Sequence, residues 1–412
     1  MNIMIILAPL LSLFTLAPQE HLVPLPLHNG ETTNGANWGW LHPETRNGGS
    51  LESTGAARVT PMEGDSHVAR EFFTAHVVAL DAGAAAITPL VDASGKTIEL
   101  VPGGRYQLSW SQGALADEPP PILAVYLLDQ KLNEVPGTRT VSSRTGTDPK
   151  DWKRQHVRFT LPEDLSVEWG YMIAFQNLAR PESATDSIAL VDKVSMARVD
   201  SDEAGYRTLF DGTTLEGWTG AVKGYRVKDG AIELDTSSNA SGNLYTSDQF
   251  DDFILRFEFK LTEGANNGVG IRAPLGGDAA YEGMEIQVLE NSHSKYEGLK
   301  PWQYHGAIYG VAPARRGYQL PPGSWNHEEI RVRGREVRIT LNGEVILDVN
   351  LDEATKDGTL SGRDHPGLSR TGGHIAFCGH GDEVAYRNIR IRSLEDTTKP
   401  QTQNQTQNRS SQ

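Results

Sequence analysis

The chain has 412 residues, a formal charge of -15 at pH 7 and 38% hydrophobic content, enough apolar material for two folded domains. That charge argues against nucleic acid and anionic membrane surfaces as partners, because both would be repelled, and it suits a protein that handles neutral ligands such as sugars. The one cysteine, Cys378, excludes an intrachain disulfide, and its setting in IAFCG predicts a buried structural thiol.

Residues 3–16, IMIILAPLLSLFTL, are too short and too proline-interrupted to span a bilayer. They predict an export signal over residues 1–17, hence a periplasmic or extracellular protein. From 20 to 200, short runs (RYQLSWSQG, ILAVYLLD, KRQHVRFTLP, WGYMIAFQNL, IALVDKVSMARV) alternate with Gly, Pro and Asp turns and predict an antiparallel sandwich. Trp38, Trp40, Trp110 and Trp152 have the rings to stack on a sugar, although core and corner packing is the commoner use of each.

A polar link, RVDSDEAGYR, leads to a second run of strands from 206 to 394. The clearest are FILRFEFKL, GVGIRA, GMEIQVL, HGAIYG, HEEIRVRG, EVRITLNG, EVILDVNL, GHIAFCG and VAYRNIRIRSL. Asn342-Gly343 marks a two-residue hairpin, and Trp325 and Asn326 open a strand after a Pro-Pro-Gly turn, where corner packing and turn hydrogen bonds are expected. Residues 396–412 have no apolar side chains and predict a disordered tail. The expected fold class is therefore all-β, with two β-sandwich domains.

Strand alternation sorts the polar residues of the second domain. Phe253, Leu255, Phe257, Phe259 and Leu261 share one face and leave Glu258 on the other; Met284, Ile286 and Val288 oppose Glu285 and Gln287; Arg272 opposes Ile271; His305, Ala307 and Tyr309 share a side. If these strands lie side by side, Glu258, Arg272, Glu285, Gln287, His305 and Tyr309 converge on one open face. The competing reading makes each an exposed residue paired with its cross-strand neighbour. The glycines around them (Gly264, Gly268, Gly270, Gly283, Gly306, Gly310) weaken strands and point to close approach of a ligand. NNGVG is no phosphate loop, because no helix follows it.

From LFDGTTLEGW through FEFKLTEGANNGVGIR, MEIQVLE, HGAIYG, GSWNHEEIRVRG and LNGEV to GHIAFCGHGDEVAYRNIRI, the order and spacing resemble the 3-keto-disaccharide hydrolase family over residues 206–394. The resemblance implies a concanavalin A-like sandwich whose concave sheet binds glycans. About the last hundred residues of the 20–200 domain more loosely resemble carbohydrate-binding jelly-roll modules, through Trp152, Val157 and Phe159 and the MIAFQN and LVDKVSM strands.

The family's chemistry implies cleavage of 3-keto-glycosides or 3-keto-disaccharides: a ketone at C3 acidifies the C2 hydrogen, one base removes it, the C1 group leaves, and water adds. On that basis Glu285 or His305 is the base, Arg272 and Gln287 are donors to the keto oxygen, Tyr309 is the acid toward the leaving oxygen, and Glu258 and Asn267 bind substrate hydroxyls. No cofactor is required, and Glu258, Glu285 and His305 are the ligand set if a divalent ion takes part. Sandwich-fold glucanases carry E-x-D-x-E on the corresponding kind of strand; here EIQVLE has Gln287 in the middle, and Glu290 falls on the opposite face from Glu285. A two-carboxylate hydrolysis would then need Glu258 beside Glu285. A non-catalytic glycan-binding protein is the remaining rival. His374, His380 and Asp382 read as structural parts of the strands and turn around IAFCG.

Overall fold

The computed structural model describes residues 20–27, 57–61, 76–115, 121–145, 148, 151–166, 170–180, 187–201, 203–238 and 242–394. The export signal, Trp38, Trp40 and the tail from 396 lie outside the described residues. Among those described, no helix is long and apolar enough to cross a membrane.

The first half forms two antiparallel sheets. One has the order Ala57–Pro61, His76–Leu80, Ala189–Asp200, Arg105–Ala114, Lys153–Thr160, with His21–Pro24 also paired to Ala189–Asp200; the other runs Ala85–Pro89, Met172–Asn177, Leu123–Leu128, Thr140–Val141. Leu108 and Trp110 from the first sheet meet Val125, Ile173 and Phe175 from the second in one core. Trp110 and Trp152 are both buried, so neither offers a ring to a sugar.

The second half is another sandwich. Its larger sheet has the order Tyr225–Lys228, Ala231–Leu234, Val384–Ser393, Phe253–Leu261, Asn326–Arg333, Glu336–Leu341, Glu344–Asn350, with Arg207–Thr208 added to Val384–Ser393. The smaller has the order Trp218–Gly220, Leu244–Thr246, His374–Cys378, Asn266–Ala273, Met284–Leu289. The alternating apolar residues of both face inward: Phe253, Leu255, Phe257 and Phe259 from one sheet meet Val269, Ile271, Ile286, Val288 and Phe377 from the other. Phe377 and Tyr386 stack across the gap at 3.9 Å between centroids and 3° between planes, a contact worth about 0.5–1.5 kcal/mol beyond the area it buries.

HGAIYG is not a full strand. It pairs with the free edge of Met284–Leu289 through a single bridge, Ile286 with Ile308, and through bonds from Gly306 N to Gln287 O, Gln287 N to Ala307 O and Tyr309 N to Glu285 O. Asn342-Gly343 makes the expected tight hairpin, with φ of 52° and 85°. Its tip packs on the first sandwich: a Cβ on Gly343 would lie 2.5 Å from that of Ala197, and Gln107 Nε2 is 3.4 Å from Asn342 O.

Candidate functional site

The outer face of the smaller sheet is built from small residues flanked by polar ones. The pairing register sets Cys378, Gly268 and Gln287 in one row, and Tyr245, Ala376, Gly270 and Glu285 in the next. Ala279, from the loop after Asn266–Ala273, packs on Tyr245, Ala273, Ala376 and Cys378 and closes one part of this face.

Glu285 reaches diagonally across the Asn266–Ala273 strand. A Cβ on Gly268 would lie 1.8 Å from Glu285 Oε1, so only glycine leaves the carboxylate this path. At its end Oε1 lies 3.0 Å from His380 Nε2. His380 stands in the turn after His374–Cys378, held by the bond from Gly379 N to Asn243 Oδ1 and by Asp382, whose carboxylate accepts from Asn266 N. The imidazole is held above its ordinary pKa, first by the hydrogen bond to Glu285, against the effect of burial. The thiol of Cys378 lies beneath; burial, then the neighbouring Glu285 charge, push it up, so it is a structural thiol and no nucleophile.

The pair is unequal in access. The Glu285 side chain is 6% exposed and that of His380 43% exposed, so the imidazole is the group a bound molecule meets. Gln287 and Tyr309 share this face. Gln287 Nε2 donates to Asn266 Oδ1 at 3.1 Å, and the Tyr309 hydroxyl accepts from Gln303 Nε2 at 3.3 Å.

Four residues expected here are elsewhere. Glu258 does project outward, but from the other sheet, where it pairs with Arg387 at 2.6 Å; the whole core separates it from Glu285, a layer spacing of about 10 Å before either side chain is counted. Arg272 is turned by a bulge: the register slips between Gly270 and Ala273, and Arg272 takes a φ of +49°. Its guanidinium bonds to Asp252 at 3.2 Å and to the Arg370 and Asp251 carbonyls, in a separate cleft at the end of the sheet, and burial lowers its pKa.

His305 points into the core. The turn at Gly306 breaks the alternation with Ala307 and Tyr309, and His305 lies 3.2 Å from the fully buried Glu328 and against Phe259. Asn267 is fully buried and donates to the Asp382 carbonyl, so it anchors the turn and reaches no ligand. Glu290 is occupied as a loop anchor, accepting from Gly264 N and from Ser292 N and Oγ. The proposed ion-binding set Glu258, Glu285 and His305 is thus dispersed. Among the described residues no three His, Cys, Asp or Glu side chains are grouped to hold a metal ion.

His380 is the residue that strand alternation missed, since a turn has no parity; the signal for it is a histidine between two glycines directly after an inner-sheet strand. His374, by contrast, is buried with Nδ1 2.7 Å from the Thr246 carbonyl, a packing role as expected. Trp325 lies between two cations, Lys260 at 4.8 Å and Arg387 at 4.0 Å from its ring, on the outside of the larger sheet.

Residues 205–392 match the family model of the 3-keto-alpha-glucoside-1,2-lyase-like domain. A 3-keto-disaccharide hydrolase from Bacteroides thetaiotaomicron is 28% identical over 262 residues, covering 53% of this chain and 90% of that protein. Two crystal structures from Parabacteroides distasonis, provisionally assigned as glycosyl hydrolases, share 29% and 26% identity. Each covers 46% of this chain, and 99% and 94% of their own, with TM-scores of 0.42 and 0.40.

Proposed function

Because the second half of the chain belongs to the 3-keto-disaccharide hydrolase family, and is thereby a carbohydrate-active domain that cleaves glycosidic bonds, we propose that the outer face of its smaller sheet breaks the bond of 3-keto-glycosides by elimination and hydration. The observation that carries this reading is the Glu285–His380 pair, a buried carboxylate supporting an accessible imidazole.

In this mechanism neutral His380 takes the C2 proton through the nitrogen not bonded to Glu285, and the carboxylate stabilises the imidazolium that forms. Glu285 is then a positioning residue rather than the base itself. Gln287 donates an N–H toward the C3 oxygen, where enolate charge collects. The electron pair expels the C1 oxygen, which takes a proton from the Tyr309 hydroxyl, and leaves an unsaturated ketone between C1, C2 and C3. Water adds at C1 and gives a proton to the Tyr309 phenolate, and the imidazolium returns its proton to C2, giving the free 3-keto sugar and the leaving alcohol and restoring both side chains.

The two-carboxylate alternative has lost its second acid, since Glu258 projects from the far sheet and Glu290 is held by backbone donors. Proton NMR in deuterated water tests the reading, with a methyl 3-keto-glucoside beside the ordinary methyl glucoside. Cleavage of the keto compound alone, with deuterium gained at C2, is expected. Equal cleavage of both without exchange would overturn it. Export remains part of the proposal, and processing of residues 1–17 in a secreting host tests it.

A further inference from the structure

The order of groups across the face is fixed by strand pairing: His380 follows the His374–Cys378 strand, Glu285 lies two strands over, and Tyr309 lies on the segment bonded to the outer edge of Met284–Leu289. Next comes Trp302, whose ring meets Tyr309 at 5.1 Å and 88°. Trp302 is half-buried, and among the described residues Tyr309 is its one ring partner. Its indole N–H bonds to no described residue and is not among the sealed-in polar atoms of the structure, so it is open to an acceptor from outside.

The other aromatic nearby is already committed. Tyr281 carries Arg363 3.8 Å from its centroid and His365 at 4.5 Å, and it meets Tyr309 edge-on at 6.3 Å. Tyr281 is a wall, whereas Trp302 has a face and a donor to offer.

We propose that Trp302 is the platform of a leaving-group subsite: the sugar or other cyclic group attached at C1 lays its apolar face on the indole, with one hydroxyl accepting from the indole N–H. This rests on the proposed elimination, since it places the departing oxygen at Tyr309, between His380 and Trp302. It names Trp302 as the residue that gives the domain its preference for a ring leaving group over a small alkyl one.

The test measures binding apart from turnover, using full-length protein, wild type and the variants Trp302→Ala and Trp302→Phe. Calorimetric titration compares a glucose disaccharide with methyl glucoside, both unoxidised, and kcat/KM compares the corresponding 3-keto compounds. Wild type is expected to favour the disaccharide, Trp302→Ala to lose about 10-fold of that preference in both measurements, and Trp302→Phe to keep most of it. No preference in wild type, or an equal preference in Trp302→Ala, would overturn the subsite. If the binding preference is lost as expected while no 3-keto compound is cleaved, the subsite stands and the elimination reading falls.

Discussion

Glu285 lies beneath an imidazole it cannot leave, and that arrangement determines how the site responds to pH. The hydrogen bond from His380 raises the imidazole pKa above its ordinary value near 6.5. Because the base form is the neutral one, kcat/KM should rise with pH along a limb centred on that raised value. Glu285→Gln removes the charge that stabilises the imidazolium. Its limb should therefore move to lower pH, and its plateau should fall by about 10²- to 10⁴-fold, as when the carboxylate that orients a catalytic histidine is lost. A pH–rate profile that keeps its position in Glu285→Gln would show that His380 is not the titrating group. The same linkage bears on stability: the pair stabilises the fold fully below about pH 6.5 and ceases to do so as pH rises through the folded value. His305 makes the contrasting case at this scale. Paired with Glu328 inside the core, it should act on folding alone. His305→Leu, which strands a buried carboxylate, should cost about 3 kcal/mol in urea unfolding and leave the pH limb where it was.

At the scale of the element, the strand Asn266–Ala273 acts through what it lacks. Gly268 gives the Glu285 carboxylate its path to His380, so Gly268→Ala should break the pair without altering either member. The expected result is a loss of activity of about 10²-fold, like that of removing the carboxylate, with an unchanged circular dichroism spectrum and a His380 NMR titration returned toward 6.5. An unaltered His380 titration would show that the carboxylate reaches the ring by another route. Alternation made these strands legible in the sequence, and it sorted inner from outer side chains correctly for Phe257, Glu258, Glu285 and Ile286. It could not say which outside. A sandwich has two, and Glu258 and Glu285 have the same parity on opposite surfaces. Parity also fails wherever the backbone departs from a regular strand. The bulge at Arg272 is written in no side-chain pattern, whereas the turn at Gly306, which sends His305 inward and Tyr309 outward, had a glycine to announce it. His380 was visible only as a histidine between two glycines after a strand; that it meets Glu285 depends on a turn closing over a neighbouring strand, a tertiary fact.

At the scale of the whole molecule, the two sandwiches are joined by more than their linker. The hairpin tip at Asn342-Gly343 fits against Leu22 and Ala197 of the first sandwich, Lys193 Nζ donates to the Arg316 carbonyl at 2.8 Å, and the Arg154 guanidinium lies 4.7 Å from the Tyr318 ring. Arg390, on the second sandwich, bonds to Glu203 of the link at 2.6 Å. Such an interface should make the halves unfold together. Gly343→Ala tests it, because a methyl group there meets both a positive φ and the Ala197 side chain. A control for the first effect lies one hairpin away: Gly334 also has a positive φ, but open space where a Cβ would be. Gly334→Ala should cost only the backbone strain, about 1 kcal/mol, and keep a single calorimetric transition. Gly343→Ala should cost more and separate the transition into two, with the site on the second sandwich still active below the first of them. Equal losses in the two variants would mean that the hairpin tip rests on the first sandwich without coupling it to the second, and the first sandwich would then be a tethered neighbour of the site and no part of its stability.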